Sequence, residues 1–153
     1  LAEVRIGKLE EALTAFDRAT TLKPDSYEAL NYKGFVLEDL GRLQEAVFTF
    51  DKAVKVNKNF IAALNNKGLV LDKLGKHEEA IEAYSRTIQA NPTFDAAWFN
   101  MACTYSLLGE RDNMLNSLKK AIDLNPRYKM TLQQIPDFQN YRNDPEFLKL
   151  SGR

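Results

Sequence analysis

Cys103 and His77 are the one cysteine and the one histidine of the 153-residue chain. A thiol activated by an imidazole is a familiar nucleophile–base pair. Here no glycine-rich loop, oxyanion-donor cluster or third orienting group accompanies them, so the pattern points to no nucleophilic centre. One Cys and one His also cannot build a zinc site or a disulfide. The carboxylate pairs Glu38-Asp39 and Glu78-Glu79 are sequence neighbours. On a helix their side chains diverge by about 100°, which suits solvated faces better than general acid–base work. Arg18, Lys52, Arg86 and Lys120 recur every 34 residues. A phosphate-binding stripe would use such a ladder, but these residues fall late in successive helical stretches, and Glu10/Glu11, Glu45, Glu78/Glu79 and Asp112 fall early in them. Both signs sit where a helix dipole favours them, and the ladder is read that way. No catalytic residue, cofactor or metal is expected, and the chain reads as non-enzymatic.

Composition narrows the remaining classes. Lys+Arg and Asp+Glu are equal at 21 each, so no cationic excess marks a nucleic-acid or anionic-membrane partner. A hydrophobic content of 44% is ample for a packed core. The uncharged stretch from Ala96 to Gly109 is shorter than the ~20 apolar residues of a membrane span. Single-cysteine usage makes a cytoplasmic location the expectation.

The elements that carry these residues follow a strict period. Gly7, Gly41, Gly75 and Gly109 are 34 residues apart, as are Gly34 and Gly68. Pro24, Pro92 and Pro126 share one phase, with Lys58 on the missing rung. Ala12, Ala46 and Ala80 form another ladder, and Phe16, Phe50, Tyr84 and Leu118 a bulky one. Within each period the apolar spacing is helical, as in Leu64, Gly68 and Leu71, and no segment alternates with period two. The unit is therefore helix, glycine turn, helix, proline turn. Small residues at Gly34, Gly68, Ala46 and Ala80 are expected to bring paired helices close, with the bulky ladder filling space towards the next hairpin.

The run Leu64…Gly68…Leu71…Gly75…Ala80…Tyr84…Pro92, with Trp98, Tyr105, Ala121 and Pro126 in the next unit, resembles the tetratricopeptide repeat (TPR). That resemblance implies an all-α, right-handed α-solenoid of antiparallel helix hairpins. The chain is expected to form a single domain: a second helix from a truncated repeat (1–26), full repeats at 27–60, 61–94 and 95–128, and a C-terminal cap (129–153). Lys33 and Lys67 depart from the usual Leu, their stems lying on apolar surface and their ammonium groups reaching water. Met114 replaces a small residue and should splay the last hairpin. Pro136 should stop a nascent helix, after which an ending of the form D-F…R-x-D-P-x-F is similar to that of some TPR proteins. Phe138, Tyr141, Phe147 and Leu150 would cover the last hairpin.

The family's groove positions project onto Asn31, Phe35 and Glu38, then Asn65, Asn66, Leu69 and Asp72, then Phe99, Asn100 and Cys103. The resemblance implies exposed amides that clamp a peptide backbone and apolar residues that receive its anchors. Asn31, Phe35, Ala96 and Asn100 stand where chaperone-binding TPR domains carry their other clamp residues, so a C-terminal carboxylate ligand is not expected. Glu28, Glu38, Asp39 and Asp72 against Lys73 favour a basic or neutral peptide. The expected function is a protein-interaction scaffold with a protein or peptide partner, without nucleic acid or membrane. The alternative is structural: a homo-oligomer formed through the truncated N-terminal hairpin, where Leu9, Leu13 and Phe16 need a cover, or a docking module for the rest of a longer chain.

Overall fold

A computed structural model describes residues 2–152, and all the regular structure among them is helical. Two compact units, Leu1–Lys76 and His77–Arg153, are taken in turn. The first contains α1 (Ala2–Leu22), α2 (Tyr27–Asp39), α3 (Leu43–Val56) and α4 (Ile61–Lys73). The second contains α5 (His77–Ala90), α6 (Asp95–Leu107), α7 (Arg111–Leu124), α8 (Tyr128–Thr131), two 3₁₀ turns (Leu132–Gln134 and Pro136–Tyr141) and α9 (Pro145–Leu150).

The glycine ladder sets the first kind of turn. Gly41, Gly75 and Gly109 have φ of 74°, 74° and 75°, a region that residues with a Cβ rarely enter. At each, two backbone bonds close the preceding helix. Gly41 N–H donates to Glu38 C=O and Arg42 N–H to Leu37 C=O, and the pattern recurs from Gly75 to Asp72 and from Lys76 to Leu71. Gly109 and Glu110 repeat it on Ser106 and Tyr105. This is the Schellman arrangement, which satisfies carbonyls that a helix end leaves bare. Gly7 breaks the expectation. Helix α1 runs through it from Ala2 to Leu22, and its φ is not positive. The flanking Ala2, Glu3, Arg5 and Lys8 favour helix strongly enough to absorb one glycine. Glu10 and Glu11 therefore lie mid-helix, away from the dipole's positive end.

The second kind of turn depends on asparagine more than on proline. Asn57, Asn91 and Asn125 lie 34 residues apart, and the side-chain oxygen of each accepts from the backbone N–H two residues on, at Asn59, Thr93 and Arg127 (3.2, 3.1 and 3.2 Å). Each backbone carbonyl also accepts from the residue that leads into the next helix, at Phe60, Phe94 and Tyr128. The turn at 57–60 forms with Lys58 in the proline phase because this Asx geometry does not need the ring. The one tryptophan, Trp98 on α6, donates its Nε1–H to Pro92 C=O at 3.0 Å and ties α6 to the turn before it.

In the first unit the core gathers Leu13, Leu30, Leu37, Phe50, Ala53 and Leu64. The bulky ladder works in both directions: Phe16 of α1 stacks on Tyr32 of the next hairpin with ring centroids 5.9 Å apart, whereas Phe50 packs inside its own hairpin. A Cβ built on Gly34 of α2 would stand 2.6 Å from the Phe50 ring of α3, so the ring lies directly on bare helix backbone. Phe50 is fully buried as a result. Lys33 and Lys67 also differ from expectation. Their ammonium groups pair with Asp17 (2.7 Å) and Asp51 (2.6 Å), stitching α1 to α2 and α3 to α4. In the second unit the same phase joins α5 to α6 through Ser85 Oγ–H and the Met101 sulfur at 3.8 Å.

The second unit's core joins Ala102, Met114, Leu118 and Ile122 to Leu132, Phe138 and Phe147. Met114 is fully buried, and α6 and α7 meet as extensively as α2 and α3, so the expected splaying is absent. Methionine's unbranched, flexible side chain fills the space without spreading the helices.

These glycines respond differently to alanine. Gly34→Ala should lower stability by about 1–3 kcal/mol through the Phe50 clash. Gly41→Ala meets open space but keeps a positive φ, costing roughly 1 kcal/mol. Gly7→Ala, also in open space and in helical backbone, should stabilise by about 0.5–1 kcal/mol. Urea unfolding followed by far-UV circular dichroism reads all three, and a stabilising Gly34→Ala would contradict the hairpin packing.

Candidate functional site

On α2, Asn31, Phe35 and Glu38 follow the i, i+4, i+7 spacing of one helix face. Asn66 of α4 donates from Nδ2 to the Asn31 side-chain oxygen at 3.2 Å. Two turns further along, Lys73 of α4 donates from Nζ to Glu38 Oε1 at 2.6 Å. The Glu38 side chain is 11% exposed, so its carboxylate is largely withdrawn from water. Phe35 is 50% exposed between these two cross-helix contacts. The structure thus brings Asn31, Phe35 and Glu38 together with Asn66, while Leu69 and Asp72 sit half-buried on the same α4.

The amides lie deeper than expected. Asn31 and Asn65 are both buried, and Asn31 already accepts a bond from Asn66. The expectation of exposed amides with water as their alternative partner fails for these two. A helical period identifies a face but not its depth, and close approach of α2 and α4 shuts part of that face. The ladder Arg18, Lys52, Arg86 and Lys120 is corrected too. The last turns of α1, α5 and α7 hold no basic residue, and that of α3 holds Lys55 instead of Lys52. The ladder stands too early for the helix dipole, whose influence fades within the final turn.

In the second unit, α6 carries Phe99, Asn100 and Cys103, all half-buried. Phe99 is not an open pocket. Tyr128 stacks on it with ring centroids 4.3 Å apart and planes within 8°, and Phe138 meets it edge-on at 6.0 Å. After Tyr128 one helical turn resumes in α8. Helix then gives way to 3₁₀ turns, and Pro136, which has no N–H to continue the ladder, opens the second. That turn folds over α6, where Ser106 Oγ–H donates to Asp137 C=O. Tyr128 is placed against Asp95 and Cys103, and burial first, then the Asp95 charge, push its phenol up to about 12. It remains protonated at any working pH, so the cluster is packing and not a base. Among the described residues no cluster of His, Cys, Asp and Glu could hold a metal ion.

The cap's second anchor is ionic. Arg111 at the start of α7 makes a two-pronged contact with Asp144, Nε to Oδ2 at 2.6 Å and Nη2 to Oδ1 at 2.9 Å. Asp144 also caps α9, accepting from Glu146 and Phe147 N–H. Arg111 first, then these backbone donors, hold its carboxyl below the ordinary value. Phe138 and Phe147 are fully buried, and Phe138 meets Phe99, one of the α6 positions expected to face a ligand.

Three tetratricopeptide repeat models match residues 1–59, 61–94 and 95–128 in succession. The chain belongs to the tetratricopeptide repeat family. Its all-α, helix-hairpin class is that of the α-solenoids. Among solved structures, it resembles the MamA RS-1 ArsTM double mutant at 28% identity and a TM-score of 0.80, covering 97% of this chain and 82% of that one. MamA 41-end from Desulfovibrio magneticus RS-1 is similar at 26% identity and 0.78, over 97% and 87%. YrrB, described as a TPR protein with an unusual peptide-binding site, shares the fold at 21% identity and 0.74, over 96% and 76%. No curated protein matches by sequence. No described helix of this TPR chain is long and apolar enough to cross a membrane.

The TPR cap carries a pH signature. Asp144 has a folded value below its unfolded one (about 3.9), so its contribution is complete above that pH and disappears as pH falls through the folded value. Asp144→Asn keeps an N-cap but loses the ion pair. Wild type should therefore be the more stable at neutral pH, with the gap narrowing as pH falls below the ordinary carboxyl value. Thermal melts of both proteins across that range check the sign.

Proposed function

We propose that this TPR chain is a non-enzymatic interaction scaffold that holds a basic or neutral peptide segment on the α2–α4 face of its first unit, with Phe35 as the anchoring contact. The observation that carries this reading is the half-exposed Phe35 ring between two ordered polar pairs, Asn31–Asn66 and Glu38–Lys73. Water gains little from such a ring, whereas a partner that covers it removes apolar surface without having to order its surroundings. Glu28 and Asp72 add acidic character, Asp39 lies 3.9 Å from Arg5, and Lys73 is occupied by Glu38. YrrB, a protein of this fold, is described as having a peptide-binding site, which makes peptide capture a fitting use of such a face. Leu69 and Asn66 extend the surface along α4. The α6 residues Phe99 and Cys103 are assigned to cap packing instead.

A self-association reading has one observation in its favour. Ile6 continues the α1 stripe of Leu9, Leu13 and Phe16 and is 53% exposed. Sedimentation of the chain at increasing concentration separates the two readings, because peptide capture needs no dimer.

The peptide reading predicts a sharp mutational contrast. With a partner recovered by pull-down and its segment synthesised, Phe35→Ala should weaken binding about 30-fold, the loss typical of an aromatic hot spot. Exposed Lys120→Ala should leave binding within twofold. Titration calorimetry measures both, and equal affinities for wild type and Phe35→Ala would remove the α2–α4 face from consideration.

A further inference from the structure

The opposite charge preference appears on another side of α2. Leu30, Lys33 and Leu37 point about 130° away from the Asn31–Phe35–Glu38 face, by the rotation of an α-helix. They form the floor of a groove of about 800 Å³ whose walls are α1 and α3. The groove lies wholly within the first unit and runs beside α3 from Arg42 to Val56. Fourteen residues of α3 correspond to about 21 Å of length, enough for roughly four turns of a docked helix.

Its electrostatics are not balanced. Lys33 is paired with Asp17, and Arg42 is held two-pronged by Glu45, both contacts at 2.7 Å. Those four charges neutralise one another in place. Lys52 and Lys55, on the α3 wall, have no carboxylate partner among the described residues. The helix dipole does not account for Lys52, which stands a turn before the helix end. Lys52 Nζ instead lies 4.6 Å from the centre of the Phe48 ring. Phe48 is 60% exposed and Val56 44%, so the same wall presents uncovered apolar surface beside uncompensated positive charge.

We propose that the α1–α3 groove is a second docking site, taking an acidic amphipathic peptide segment of a protein partner. Apolar side chains of that segment cover Phe48 and Val56, and its carboxylates meet Lys52 and Lys55. Phe48 and Val56 together favour a peptide, whose apolar side chains can cover both, over nucleic acid, whose bases would stack on the aromatic ring alone. Charge complementarity also excludes the basic segment suited to the Phe35 face, so one chain could hold two different partners on two sides of α2. This site is independent of the reading of the Phe35 face.

The probe is a fluorescein-labelled peptide of about four helical turns with Leu at i, i+3, i+4 and i+7 spacing and Glu elsewhere. Two competitors accompany it: the same peptide with Lys for Glu, and single-stranded oligothymidine. Fluorescence anisotropy should show saturable binding of the Glu peptide, weakened by added salt. The double change Lys52→Glu/Lys55→Glu, and separately Phe48→Ala, should each reduce affinity by about tenfold or more. All three side chains are exposed, and unchanged urea midpoints verify that the variants fold. Phe35→Ala should leave this binding intact. The proposal is overturned by absence of saturable binding, by equal binding of the Lys peptide, by preferential binding of oligothymidine, or by indifference to the Lys52/Lys55 reversal.

Discussion

The Phe50 ring resting on the bare backbone of Gly34 fixes how closely α2 and α3 approach. A side chain at 34 would hold the helices apart, and Phe50 could not then be fully buried. Burial of such a side chain is worth about 2–3 kcal/mol, a large share of a marginal stability. The placement of α2 follows from this contact, and both of the faces proposed to receive a partner follow from α2. Asn31 and Glu38 reach α4 on one side, and Leu30 and Leu37 floor the groove on the other. The Asp17–Lys33 and Asp51–Lys67 pairs then register each first helix against the second helix before it.

Much of the fold is legible in the sequence because backbone conformation demands particular residues. A φ of 74° needs glycine, so Gly41, Gly75 and Gly109 mark their turns unambiguously. Gly7 shows the limit, since glycine permits that conformation without imposing it. The asparagines at 57, 91 and 125 were as regular as the prolines, yet proline's covalent restraint draws the eye first. Asparagine supplies a hydrogen bond that only coordinates reveal. The Asp–Lys stitches were hidden for a related reason. Each links residues in separate helices, and nothing in a single helix's pattern indicates what the neighbouring helix presents.

The candidate site was less legible, and the failures have one source. Periodicity places a residue on a face, but exposure depends on what later packs there. Asn65 and Phe99 share the groove phase with Phe35, yet Asn65 is buried and Phe99 is covered by Tyr128 and Phe138. Phe35 stays open, with its own neighbours engaged in polar pairs to α4. The α1–α3 groove left still less trace. In the sequence, Lys52 fits the helix dipole; in the structure the helix end lies a turn beyond it.

Trp98, held to Pro92 by its indole N–H, is the chain's sole tryptophan and belongs to the second unit. Indole emission is therefore a local gauge. It registers loss of order around α6 and is blind to the half that contains Gly34, Phe35 and the α1–α3 groove. Repeat arrays need not melt as one body. A fluorescence curve lying apart from the far-UV dichroism curve would then measure how tightly the two halves share their fate, with no label introduced.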